Sequence, residues 1–193
     1  SRETTEQETA DILDATVCYP GRRLIERTPP DFETGDKEIP LKYLANLLSD
    51  WAANEDGAPS MKSYIMGIIT GMGPLRFNKK GELLHDRLFV LVDDGSLISK
   101  VYVHNEVVER QIGCSLEEIG AALSSPDEKA RAAMRRKMEA FETMLSKFKG
   151  TLLVEMNRNS DVPVALEMKQ GSSYYDPTWL DESEPRQVWI SAR

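Results

Sequence analysis

The run from Ser63 to Val103, SYIMGIITGMGPLRFNKKGELLHDRLFVLVDDGSLISKVYV, limits the fold more than any other part of the chain. It holds three apolar, β-branched segments: Tyr64 to Gly71, Leu88 to Asp93 and Leu97 to Val103. Asp94-Gly95 joins the last two. Between apolar runs this dipeptide is a strong hairpin signal, because it tolerates positive φ at both central turn positions. Gly67, Gly71 and Gly73 interrupt the first segment, as glycines do where a strand bulges or bends. In the third segment Leu97, Ser99, Val101 and Val103 share one face, and Ile98, Lys100, Tyr102 and His104 share the other. The first set is predicted to face the core and the second to form a partly wet outer wall. A long bent strand followed by a tight hairpin opens a small Greek-key barrel, not a parallel α/β sheet.

The flanking patterns extend this reading. From Glu38 to Asn54, Leu41, Leu44, Ala45, Leu47, Leu48 and Trp51 fall on one helical face. Pro40 suits the first turn, and Gly57 and Pro59 end the segment. Trp51 is expected to anchor this helix over an open end of the barrel. Beyond Val103, Asn105 is predicted to cap a helix that Gly113 ends. Ser115 and Glu118 form a capping box for Leu116 to Leu123. Ser125-Pro126 then opens the longest helix, which runs to about Phe148 before Gly150. Thr151 to Met156 and Val162 to Met168 complete the strands, with Pro163 at a strand start. Three strands, a helical segment and two more strands make the fold class mainly β with helices. The expected architecture is a five-stranded OB-fold Greek-key barrel, with a large helical insert between strands 3 and 4 and an N-terminal helix. The barrel domain is placed at 38–169, between an acidic, irregular segment at 1–37 and an irregular tail at 170–193.

The long helix carries the first functional signal. Met134, Met138, Phe141, Leu145 and Phe148 recur at spacings of four and three, and Ala133, Ala140 and Met144 widen the face to one side. The apolar sector spans roughly 160°, wider than the ~100° stripe that one core contact needs. Either one edge packs on the barrel and the other on a partner, or the domain covers all of it. On the first reading Ala133, Met134, Met138, Ala140, Phe141, Met144 and Leu145 are candidate partner-binding residues. Phe141→Asp or Met138→Asp is then expected to abolish binding. In the tail, Trp179-Leu180 and Val188-Trp189-Ile190 are too apolar for a solvated segment, so Trp179 and Trp189 join the candidates. They wrap back over the domain or anchor a partner. At the other end, Val17 to Leu24 reads as linker or as a docked extended peptide.

Charge and composition narrow the chemistry. A net charge of −8 weighs against a role dominated by phosphate contacts. A single-strand nucleic-acid site is kept as the alternative, with Lys79, Lys80, Arg87, Tyr102 and Arg158 as its residues. It has few aromatics for base stacking and an adverse field. Glu82, His85 and Asp86 lie close together, but no nucleophile elbow, phosphate-cradling glycine loop or metal triad accompanies them. No catalysis, metal or cofactor is expected. Cys18 and Cys114 stand apart in unrelated contexts, which gives no zinc spacing. No apolar run approaches the ~18 residues of a membrane span. Nothing resembles a signal peptide either, so the chain reads as soluble and intracellular, and a first residue of Ser reads as a fragment of something longer.

Specific segments point to a family. IPLKYLANLL (Ile39 to Leu48), SYIMGIITGMGPLRF (Ser63 to Phe77), RLFVLVDDGSLISKVYVHNEVVERQIGCSLEEI (Arg87 to Ile119) and GTLLVEM (Gly150 to Met156) resemble the C-terminal OB domain of the RecQ-mediated genome instability protein 1 family. The strand–DDG–strand unit followed by NEVVERQIG and a serine-capped helix is its most specific part. The resemblance implies a non-catalytic nuclear scaffold in a complex of a RecQ helicase with topoisomerase III, which dissolves double Holliday junctions. It implies pairing with a second OB subunit similar to RecQ-mediated genome instability protein 2, and receipt of a peptide from the Fanconi anaemia M-group translocase. Helicase and topoisomerase contacts would be indirect. Members of the family end in a pairing helix, whereas Pro177 and Pro185 make Gln170 to Arg193 read as non-helical.

Overall fold

The computed structural model describes residues 38–73, 75–84 and 88–171. It also describes the backbone of two short strands, Val17–Cys18 and Trp189–Ile190, which pair antiparallel with each other. Five strands form a closed barrel: β1 (Ser60–Gly73), β2 (Leu88–Asp93), β3 (Ile98–Val103), β4 (Lys149–Asn157) and β5 (Val164–Gln170). Around the barrel the order is β1-β2-β3-β5-β4, with β4 returning to β1. All neighbours are antiparallel except β3 and β5, which meet in parallel over Tyr102↔Val164 and Val103↔Ala165.

The length of β1 is what closes the barrel. Its first part, Ser60 to Ile68, pairs with β4, and its last part, Ile68 to Gly73, pairs with β2. The register shifts between Ile69 and Gly71, where the strand bends from one partner to the other. Gly73 lies under the Phe89 ring, which a Cβ would overlap. Alternate positions fill the interior: Ile65, Ile69, Val90, Val92, Val101, Val103, Leu152, Val154 and Met156 are all buried. Of the outward set, Ile98, Lys100 and Tyr102 are half-buried, and His104, just beyond β3, is exposed. A smaller cluster of Leu41, Tyr64, Met66 and Leu153 packs separately from this core.

Among the described residues four helices accompany the barrel: α1 (Leu44–Ala52), α2 (Asn105–Ile112), α3 (Leu116–Leu123) and α4 (Glu128–Ser146). The Ser115–Glu118 capping box of α3 is present, and Gly113 ends α2 at φ 84°. Other boundaries differ from the pattern. Pro40 precedes α1 in an extended segment, where its carbonyl accepts the Tyr64 N–H at 2.8 Å and Lys42 N–H donates to Tyr64 O at 3.1 Å. That segment therefore joins β1 instead of opening the helix. His104, not Asn105, caps α2: its Nδ1 accepts the Glu106 N–H at 3.2 Å. Asp127, not Ser125, caps α4, accepting the Lys129 N–H at 3.0 Å, while Ser125 Oγ is engaged by Asp127 N–H. In the β2–β3 turn only Gly95 takes positive φ, so Asp94 is not in the left-handed region expected for it.

Asp94 has a different task. Tyr43 at the start of α1 offers no side-chain cap. Instead Asp94 Oδ2 accepts the Leu44 N–H at 2.6 Å, and Ser96 Oγ accepts the Ala45 N–H at 3.1 Å. The other carboxylate oxygen accepts from Ser96 N–H at 2.9 Å, Ser96 Oγ–H at 2.6 Å and Leu97 N–H at 3.3 Å. One turn thus caps a helix fifty residues upstream and satisfies donors that would otherwise be orphaned. Leu44 and Leu47 are fully buried beneath it, and Trp51 packs against the same core from a half-buried position.

Candidate docking surface on helix α4

The long helix faces two ways. Met134, Phe141 and Leu145 are 7%, 6% and 0% exposed and belong to the main core, as does Phe148 just beyond the helix. Those three candidate partner residues therefore point into the domain, where an apolar side chain gains most from leaving water. Ala133 and Ala140 are exposed, and Met138 and Met144 are half-buried at the core edge. What remains for a partner is the outer side of α4, marked by Ala133, Ala140 and Met144, and the flank at Met138.

Met138 opens onto a cleft of about 360 Å³. Its apolar floor comes from Leu75 and Phe77 after β1, Leu123 at the end of α3 and Met138 itself. The facing wall is a short ribbon in which Phe77 bridges to Leu83. Asn78 organises the ribbon tip: its Oδ1 accepts the N–H groups of Lys80 and Glu82, both at 2.9 Å. Gly81 is held at φ 82°, and its backbone lies directly on Gly120 of α3. A Cβ on Gly120 would overlap the Gly81 carbonyl oxygen, so the ribbon reaches α3 only because both residues lack a side chain.

The rim of the cleft is charged and uneven. Lys79 and Arg135 stand on it, with Asn78 beside them, and Glu139 and Glu142 also line it. From Lys129 to Lys137 the sequence has five basic residues and no acidic one. Lys42–Asp50 and Lys62–Glu155 are ion pairs within 4.0 Å elsewhere on the domain, while the carboxylates that share the cleft with Arg135 are Glu139 and Glu142. Arg131 donates to Ser125 O at 2.6 Å. Leu84, beside the ribbon, is 46% exposed.

The residues of the nucleic-acid alternative are dispersed. Lys79 stands on this cleft, with Lys80 exposed beside it at the ribbon tip. Tyr102 lies on the barrel wall, where Lys100 Nζ sits 5.0 Å from its ring centre and 4.5 Å from that of Phe89. Arg158 is tied to Gly57 O at 3.1 Å, and Arg87 lies outside the described residues with His85 and Asp86. A single lysine thus covers the two outer-wall aromatics that stacking bases would need. Trp179 is outside the described residues, and for Trp189 only the backbone is described. Among the described residues no three His, Cys, Asp or Glu side chains gather as metal ligands, and no helix is long and apolar enough to cross a membrane.

The barrel and its helices can be set beside known proteins. Residues 38–182 match the family model described as RecQ-mediated genome instability protein 1, C-terminal OB-fold. The chain belongs to this family. Its relatives include RecQ-mediated genome instability protein 1 of rice (Oryza sativa subsp. japonica), 42% identical over 142 residues. That match covers 74% of this chain and 17% of the rice protein. The protein of the same name from Arabidopsis thaliana is 37% identical over 158 residues, covering 81% of this chain and 24% of its own length. The chain therefore spans less than a quarter of either relative. Membership fixes a mixed α and β OB fold for the barrel and its helices. The cleft residues Leu75, Leu123 and Arg135 carried no signal in the sequence, since only the packing of α3 and the ribbon on α4 brings them together.

Proposed function

We propose that the chain is a non-catalytic interaction subunit of the RecQ helicase–topoisomerase III complex that dissolves double Holliday junctions in the nucleus. Its OB domain pairs with a second, small OB protein of the RecQ-mediated genome instability protein 2 type and receives a peptide of the Fanconi M-group translocase type. Helicase and topoisomerase are held indirectly.

The observation that supports this reading best is the division of α4. Met134, Phe141 and Leu145 are committed to the core, while Ala133, Ala140 and Met144 leave a low-relief strip on the outer side of the same helix. Small residues allow a second backbone to approach closely, and flexible methionines adapt to it. The barrel wall supports a scaffold role, because its aromatics are covered by Lys100 and its cations are dispersed. The test is co-expression with the small OB protein of the same source, followed by size-exclusion chromatography with light scattering. A stable one-to-one complex is expected, and it should be lost in Ala140→Asp/Met144→Asp with the fold intact. A folded chain that stays monomeric beside its candidate partner would overturn the proposal.

A further inference from the structure

We infer that the cleft between α4 and the Phe77–Leu83 ribbon is the docking site of the chain's own acidic tail segment, Asp176 to Glu184, with Trp179 in the apolar floor. This goes beyond pairing with an OB partner and uses a different side of the helix.

The segment has the chemistry the cleft asks for. It reads DPTWLDESE, a Trp-Leu pair flanked by Asp176, Asp181, Glu182 and Glu184 and free of basic residues. The cleft offers an apolar floor at Phe77 and Met138 beside Lys79 and Arg135. Arg135 is one of five basic residues between Lys129 and Lys137 on α4, in a chain of net charge −8. A large aromatic entering a desolvated pocket beside charged rim residues is the usual form of a tight small contact. Glu139 and Glu142 also line the cleft and repel carboxylates, so the acidic flanks must lie toward Lys79 and Arg135.

The chain also leaves the barrel in the right place. Gly171 N–H donates to Lys149 O at 2.8 Å, and Gln170 Nε2 donates to Lys147 O at 3.3 Å. The described strand therefore ends beside the C-terminus of α4. Met138 lies eight positions before Ser146, about 12 Å along the axis at 1.5 Å per residue. Trp179 lies eight positions after Gly171, and an extended chain of that length reaches about 26 Å. The slack exceeds the ~10 Å breadth of the helix that the segment must pass. The family match continues through residue 182, so the Trp179-Leu180 pair belongs to the matched stretch.

A fluorescein-labelled peptide of residues 172–186, titrated into the full chain and followed by anisotropy, tests this. The Trp179→Ala chain, whose own segment has lost its anchor, should bind the peptide. Wild type should bind it at least tenfold more weakly, because its tethered segment competes at millimolar effective concentration. Adding Lys79→Glu and Arg135→Glu to Trp179→Ala should abolish binding, with the circular dichroism spectrum unchanged. No binding to Trp179→Ala, equal binding to wild type, or unchanged binding after charge reversal would each overturn the assignment. Light scattering supplies a further check: a wild-type dimer that Trp179→Ala converts to monomer would assign the cleft to a second copy and contradict docking within one chain.

Discussion

Replacing Asp94 with Ala tests the turn side chain that caps α1. The carboxylate is 1% exposed and accepts four hydrogen bonds, one of them the 2.6 Å bond from Leu44 N–H that starts α1. Losing an N-cap costs about 1 kcal/mol. Orphaning a buried donor costs about 1–3 kcal/mol, and the Ser96 and Leu97 N–H groups lose the same carboxylate. Removal of a buried charge offsets part of this, because burial pushes the Asp94 carboxyl above its ordinary 3.8 against the lowering pull of its bonds from Ser96, Leu44 and Leu97. The net loss should be about 3 kcal/mol, a large share of the 5–15 kcal/mol typical of a domain. Urea unfolding followed by far-UV circular dichroism should show the midpoint fall by about 1.5 M at an m-value near 2 kcal/mol/M. The melting temperature should fall by about 10 °C. A loss under about 1 kcal/mol would mean that the α1 cap is not made by this residue.

The same residue gives a signed pH dependence. With the folded-state pKa raised, the native state binds more protons than the unfolded chain between 3.8 and the folded value. The contribution of Asp94 to stability is therefore greatest below 3.8, declines as pH rises through that window, and is constant above it. Asp94→Asn cannot titrate, so its stability deficit relative to wild type should narrow as pH rises from about 4. A widening deficit would show that the hydrogen bonds outweigh burial.

Other substitutions separate core from surface. Gly120→Ala should cost about 2 kcal/mol or more, in the range of overpacking, by driving the ribbon off α3; amide exchange at 77–84 should accelerate, and unchanged exchange would contradict the glycine contact. Phe141→Asp should unfold the domain rather than leave a folded non-binder, since the side chain is 6% exposed in the core, and a cooperative melt near wild type would refute this. Thr151→Val should be neutral or stabilising by up to about 1 kcal/mol, because the buried Thr151 Oγ1 has no hydrogen-bond partner. A marked loss of stability there would reveal a partner for the hydroxyl.

What the sequence made legible was local. Asp94-Gly95 predicted a hairpin because turn chemistry depends on adjacent residues, and Ser115 with Glu118 announced their cap for the same reason. The start of α1 was misplaced because its cap comes from Asp94 and Ser96, fifty residues downstream, while Pro40 is held by Tyr64 across a strand contact. Periodicity gave the width of the apolar face of α4 but not its division, since Met134, Phe141 and Leu145 follow the same spacing as their exposed neighbours. The cleft was invisible because its residues come from three separated stretches, and the contact of Gly81 with Gly120 that shapes it has no motif.

The central claim is that α4 is core on one side and interface on the other. Its most direct test is paramagnetic relaxation of side-chain protons by a soluble probe across α4, in the chain alone and bound to the small OB protein. Protection should rise on binding at Ala133, Ala140 and Met144 and stay unchanged at Phe141 and Leu145. Protection appearing instead on the β2–β3 wall around Phe89 and Tyr102, with α4 unaffected, would contradict the account.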